Sequence, residues 1–150
     1  RGTIRSYKPE VREKLLAGVR RTANAAAAMA GAPEPTVSLE AGGAAVVNDA
    51  AVVKRTAAAL KAALGDRNVT ESPPITASED FSEFLNAGVP GMMFFVGTVS
   101  PKDWEAAGKP GGKPVPFNHS PFFAPVPEPS IKTSVEAMSV AVITAMTPQQ

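Results

Sequence analysis

The sequence predicts an α/β fold in two pieces: a β-α-β unit over residues 1 to about 45, then an α/β segment over about 46–150. Three observations predict it. Residues 3–7, 36–39 and 92–96 are short alternating or continuous apolar runs, the pattern of strands. Apolar residues four apart, as at Val11, Leu15 and Val19, read as helices between those strands. Gly and Pro mark the points where the patterns change.

Residues 3–7 alternate β-branched or aromatic side chains with polar ones, as a half-buried strand does. Pro9 suits a first helical turn, with Glu10 and Glu13 at the positive end. The helix is expected over about 9–30, closed by Gly31 as a left-handed cap. Residues 36–39 follow as a second strand. Gly42-Gly43 is a break, and Asp49 is a candidate N-cap for a second helix ending at Gly65. Val53, Ala57, Leu60 and Leu64 share one face of it. Residues 68–76 read as a short strand or loop interrupted by Pro73-Pro74. Ser78-Glu79-Asp80-Phe81 begins a short helix that stops at Gly88, and Asp80 with Glu83 has capping-box spacing.

Residues 92–96, Met-Met-Phe-Phe-Val between Gly91 and Gly97, fit a strand buried on both faces of a mostly parallel sheet. Residues 99–116 are rich in Pro, Gly and Lys and read as a long exposed loop. The last helix, about 128–146, would turn Ile131, Val135, Met138 and Val142 to the core. One convincing buried strand is too little sheet for these helices. Strands from further upstream are therefore expected to complete both pieces, and the strand-like opening without an initiator Met suggests a part of a longer polypeptide.

Composition excludes more than it assigns. At 150 residues, 44% hydrophobic and 19% charged, the chain resembles an ordinary soluble domain. A net charge of +1 offers no basic field for nucleic acid, and no apolar run is long enough to span a membrane. Without cysteine there is neither a disulfide nor a thiolate metal site.

His119, the only histidine, stands in Pro116-Phe117-Asn118-His119-Ser120-Pro121-Phe122-Phe123. It is the one imidazole available to a metal, but one imidazole does not hold a zinc-type ion, which needs three or four ligands. A structural histidine is the plainer reading. Glu79-Asp80 could serve acid/base work or orient a ligand, or simply charge a helix start. Arg5 could clamp a carboxylate through two hydrogen bonds, or be a solvated strand residue. Gly97-Thr98 could offer backbone N–H groups to a ligand, or only end a strand. A triad using Ser78 or Ser120 with His119 lacks any nucleophile elbow.

Read in order, Gly2-Thr3-Ile4-Arg5, Val47-Asn48-Asp49, Ser78-Glu79-Asp80-Phe81, Phe95-Val96-Gly97 and Asn118-His119-Ser120-Pro121-X-Phe resemble one known family. It comprises the metal-dependent amidohydrolases and carboxypeptidases of hippurate hydrolase, N-acyl-amino-acid hydrolase and aminoacylase type. The order and rough spacing match over nearly the whole chain. The resemblance implies the C-terminal portion of a two-domain metallohydrolase. Residues 1–45 would be the second half of an α+β lid and dimerisation domain, and residues 46–150 the end of an α/β catalytic domain.

By that resemblance His119 matches the last metal ligand and Arg5 the lid arginine that holds the substrate carboxylate. Gly97 and Thr98 match a loop lining the cleft, while Glu79, Asp80 and Asn118 lie near the site without an assigned role. The implied cofactor is a pair of divalent ions, zinc or manganese, with cobalt or nickel as substitutes. Such a pair activates a bridging water and polarises the amide carbonyl. The remaining ligands and the catalytic glutamate would lie upstream. Residues 42–45, Gly-Gly-Ala-Ala, lack a Tyr-Pro pair expected before Val47, which leaves substrate preference open. The implied partners are an N-acyl amino acid or small peptide and a second copy of the chain, with no nucleic acid and no membrane. The compartment is undetermined; the cytoplasm is favoured over the periplasm or secretion. The alternative is a non-catalytic dimerisation module presenting residues 34–40 as a strand edge, or an inactive fragment.

Overall fold

The computed structural model describes residues 1–40 and 42–148. Among these residues the elements are five helices, α1 (Pro9–Met29), α2 (Ala50–Leu64), α3 (Ser82–Asn86), α4 (Pro101–Ala107) and α5 (Pro127–Met146), and one 3-10 turn at Asp66–Asn68. Two compact units form. One contains Arg1–Asp49 and Glu71–Met93, the other Ala50–Thr70 and Phe94–Gln150. No helix among the described residues is long and apolar enough to cross a membrane.

The expected α/β fold is wrong. Among the described residues there is no strand and no sheet, so neither the β-α-β piece nor the α/β segment forms. A strand exists only when a second backbone supplies its hydrogen bonds, and apolar alternation cannot specify that partner. The three expected strands instead form no ladder. Within the first unit, the Val37 carbonyl accepts from the Arg20 guanidinium at 3.2 Å, and Met93 is bonded by the side chain of Asn48. Residues 34–40, offered above as a strand edge, are likewise not a strand.

The long helices follow their sequence signals. Pro9 occupies the first turn of α1, where its missing N–H is not needed. At the other end Gly31 takes φ 64°, its N–H donates to Ala28 O at 3.1 Å, and Ala32 N–H donates to Ala27 O at 2.9 Å. Those crossed bonds satisfy two of the last carbonyls, as in a Schellman cap. Val11, Leu15 and Val19 nevertheless stay on an exposed face.

In the first unit α3 lies near two glycines, Gly43 and Gly91. A Cβ built on Gly91 would lie 3.1 Å from Leu85 Cδ2 and 3.3 Å from Phe81 Cζ, so a larger residue there would require those side chains to shift by a few tenths of an ångström. Asp80 does not cap α3: Phe81 is the N-cap, with no side-chain bond, and Asp80 contributes only its carbonyl, to Glu83 N–H at 3.0 Å.

In the second unit α2 packs on α5. Thr56 (1% exposed) and Leu60 (5%) on α2, and Ala137 (3%) on α5, are its buried residues. The expected core face of α5 is therefore incorrect: Ile131 is 62% exposed and Val135 61%, with Met138 and Val142 also outward. Periodicity identified an apolar stripe, but α5 buries a different side, at Ala137. Small side chains at Ala137 and Ala141 sit on its more buried side. The loop expected over 99–116 contains a further helix, α4. Ser100 Oγ accepts from Asp103 N–H at 3.1 Å and Pro101 follows at the first position, a start signal present in the sequence.

Candidate metal-ligand turn and its relatives

The residues around His119 form two consecutive turns that share Ser120. Ser120 N–H donates to Phe117 O at 3.1 Å, closing the first turn over Asn118 and His119. His119 takes φ 72°, the one non-glycine with positive φ among the described residues. A turn with positive φ at its third position alone is of type II, where Gly or Asn is the usual occupant. Histidine in the left-handed region costs about 1–2 kcal/mol relative to an ordinary conformation. Phe123 N–H then donates to Ser120 O at 3.1 Å, closing a second turn over Pro121 and Phe122. Ser at the first and Pro at the second position are the preferred residues of a type I turn. Ser120 Oγ also accepts from Phe122 N–H at 3.2 Å.

This double turn presents the imidazole outward. His119 and Asn118 are exposed, and Ser120 is half-buried. Three residues beyond the second turn, Val126 N–H donates to Thr98 O at 2.9 Å. Gly97-Thr98 and the segment leading from His119 into α5 are thus tied within the second unit. Thr98 is half-buried and Gly97 exposed, with open space where a Cβ would stand.

The other candidates lie in the first unit. Glu79 and Asp80 are exposed, and their backbones rather than their carboxylates are engaged: Glu79 O accepts from Ser82 Oγ at 3.0 Å. Arg5 is exposed and joined by no hydrogen bond or ion pair to Glu79, Asp80 or any other described residue.

For a metal, His119 fits as a single donor, on an accessible turn with no hydrogen bond occupying its ring. A complete ligand set is not present: among the described residues no group of three His, Cys, Asp or Glu side chains is gathered. What the turn can do chemically is offer one imidazole, at a fixed place, to an ion that other donors also hold. The sequence reading missed Ser120 as the residue shared by both turns, although Ser-Pro at their junction is a turn signal.

The sequence profile of peptidase family M20/M25/M40 matches residues 17–110, more than half of the chain. The chain belongs to this family of hydrolases, whose members are generally dependent on zinc or a similar metal. The matched span includes Glu79, Asp80, Gly97 and Thr98; Arg5 precedes it and Asn118 and His119 follow it. No solved structure matches the chain.

Proposed function

We propose that this chain is part of a metal-dependent amidohydrolase that cleaves the amide bond of N-acyl amino acids or small peptides of the hippurate type. The observation that carries this reading is the left-handed His119. A bulky residue is kept where glycine would be easier, and strain of that kind collects at functional positions. Family membership supports hydrolytic chemistry, and the Asn118-His119-Ser120-Pro121 motif supports His119 as a ligand. In this reading the other ligands and the general base come from outside residues 1–150. Zinc or manganese, as an ion pair, would polarise the amide carbonyl and activate water. Arg5 would hold the substrate carboxylate, and the backbone of Gly97 and Thr98 would line the cleft. Glu79, Asp80 and Asn118 would stand near the site. Residues 1–45 would belong to a lid through which two copies associate, and residues 46–150 to the catalytic part.

The test uses the complete protein, its intact mass measured under denaturing conditions. N-benzoylglycine is assayed with and without chelator, for wild type and His119→Ala. Chelator should abolish turnover, and His119→Ala should lose most activity together with bound metal. Full activity and unchanged metal content in His119→Ala would overturn the assignment.

A further inference from the structure

We propose that Ser120 is the positioning residue for His119, holding its backbone left-handed and so fixing where the imidazole stands. The inference rests on the ligand role given to His119 above. Three bonds converge on Ser120: its N–H closes the first turn on Phe117 O, its carbonyl closes the second with Phe123 N–H, and its Oγ receives Phe122 N–H. Asn118, the other central residue of the first turn, makes no side-chain hydrogen bond within the described residues. Among the described residues, side-chain support for this turn therefore comes from the C-terminal side of His119.

Of the three bonds only the one to Oγ depends on the side chain. The turns themselves are coupled through the Ser120 backbone, whose N–H closes the first and whose carbonyl closes the second. Phe122 N–H lies inside the second turn, and its bond to Oγ fixes the Ser120 side chain against the backbone that follows His119. Pro121 restricts the intervening residue. Beyond the turns, Val126 N–H on Thr98 O anchors the segment. Without Oγ, the Ser120 backbone gains freedom on the side of His119 where a side chain restrains it, and the imidazole is no longer held at one place.

The experiment compares Ser120→Ala, Ser120→Asn and His119→Ala in the complete protein, with Zn2+ alone as the binding probe. Amide exchange at Phe122 and the backbone conformation of His119 are read by NMR. Ser120→Ala should speed Phe122 exchange about tenfold and weaken Zn2+ binding on the order of tenfold, the usual effect of losing a residue that orients a ligand. It should also release His119 from its single left-handed conformer. Asparagine can accept the same bond from the residue two ahead, so Ser120→Asn should restore all three readouts. Unchanged Phe122 exchange and His119 conformation in Ser120→Ala would overturn the proposal. Equal losses in Ser120→Asn and Ser120→Ala would do so as well. His119→Ala separates the two ideas: if it leaves Zn2+ binding intact, the ligand role fails, while Phe122 exchange and the His119 conformer still decide the role of Ser120.

Discussion

Asn48 and Met93 are joined by two hydrogen bonds that occupy both polar groups of one peptide residue. Asn48 Nδ2 donates to Met93 O and Met93 N–H donates to Asn48 Oδ1, each at 2.9 Å. One residue along, Asp49 N–H donates to Gly91 O at 2.9 Å. The carboxamide side chain thus gives Met93 the pair of bonds that a neighbouring strand residue would give in a ladder.

Removing that amide should loosen residues 91–93 first. Asn48→Ala leaves Met93 without both partners. Because Asn48 lies near the surface and water can take its place, the loss should be about 1–2 kcal/mol rather than the larger penalty of a buried pair. Urea denaturation measures the total, and amide exchange at Met93 shows where it falls. An unprotected Met93 amide in the wild type would contradict the pairing.

The same pair shows what the sequence could and could not reveal. The ends of α1 and α2 were legible because their signals are local: Pro9 and Gly31 bracket the first, and Gly65 closes the second. Residues 92–96 were recognised as apolar, but pairing is a property of two segments. Nothing in Met-Met-Phe-Phe-Val tells that the partner of Met93 is a side chain 45 residues earlier. α5 was found within a residue of its start, yet the orientation of its apolar stripe depends on α2, which packs beside Ala137 and leaves Ile131 outside. Among candidate site residues, His119 stood out as the sole histidine. Its left-handed backbone did not, since a Phe-Asn-His-Ser turn gives no glycine to mark it.

That backbone makes an unusual demand on substitutions at position 119. Glycine adopts φ 72° without penalty, whereas alanine retains most of the strain. His119→Gly should therefore be more stable than His119→Ala by about 1 kcal/mol, although both lack the imidazole. Midpoints of urea unfolding compare them directly. Equal midpoints, or a more stable alanine variant, would show that residue 119 is not held left-handed in solution.

Adjacent glycines after α4 should respond differently. Gly111 has φ 76° and open space around a would-be Cβ, so Gly111→Ala should cost about 1 kcal/mol through backbone strain alone. Gly111→Asn should cost less, because asparagine tolerates that region. At Gly112 a Cβ would run into the carbonyl oxygens of Ala106 and Ala107, which are backbone atoms with no rotamer to yield. Gly112→Ala should cost about 1–3 kcal/mol and shift the loop. Gly112→Asn should be no better than alanine there. The contrast between the two asparagine variants, read from thermal unfolding, distinguishes conformation from space.

Arg5 separates recognition from folding. It is exposed and bonded to nothing among the described residues, so Arg5→Ala should leave stability within about 0.5 kcal/mol of wild type. If its guanidinium grips a substrate carboxylate in the complete enzyme, the same variant should raise KM about ten- to hundredfold on N-acyl amino acids, the range of a charge-assisted hydrogen bond of about 1.5–3 kcal/mol. On amide substrates lacking a free carboxylate it should change nothing. Arg5→Lys should recover only part of the loss, because an ammonium cannot make the planar two-point contact. Steady-state kinetics on the two substrate classes provides the measurement. Equal KM effects on both would assign Arg5 to the architecture of the first unit instead.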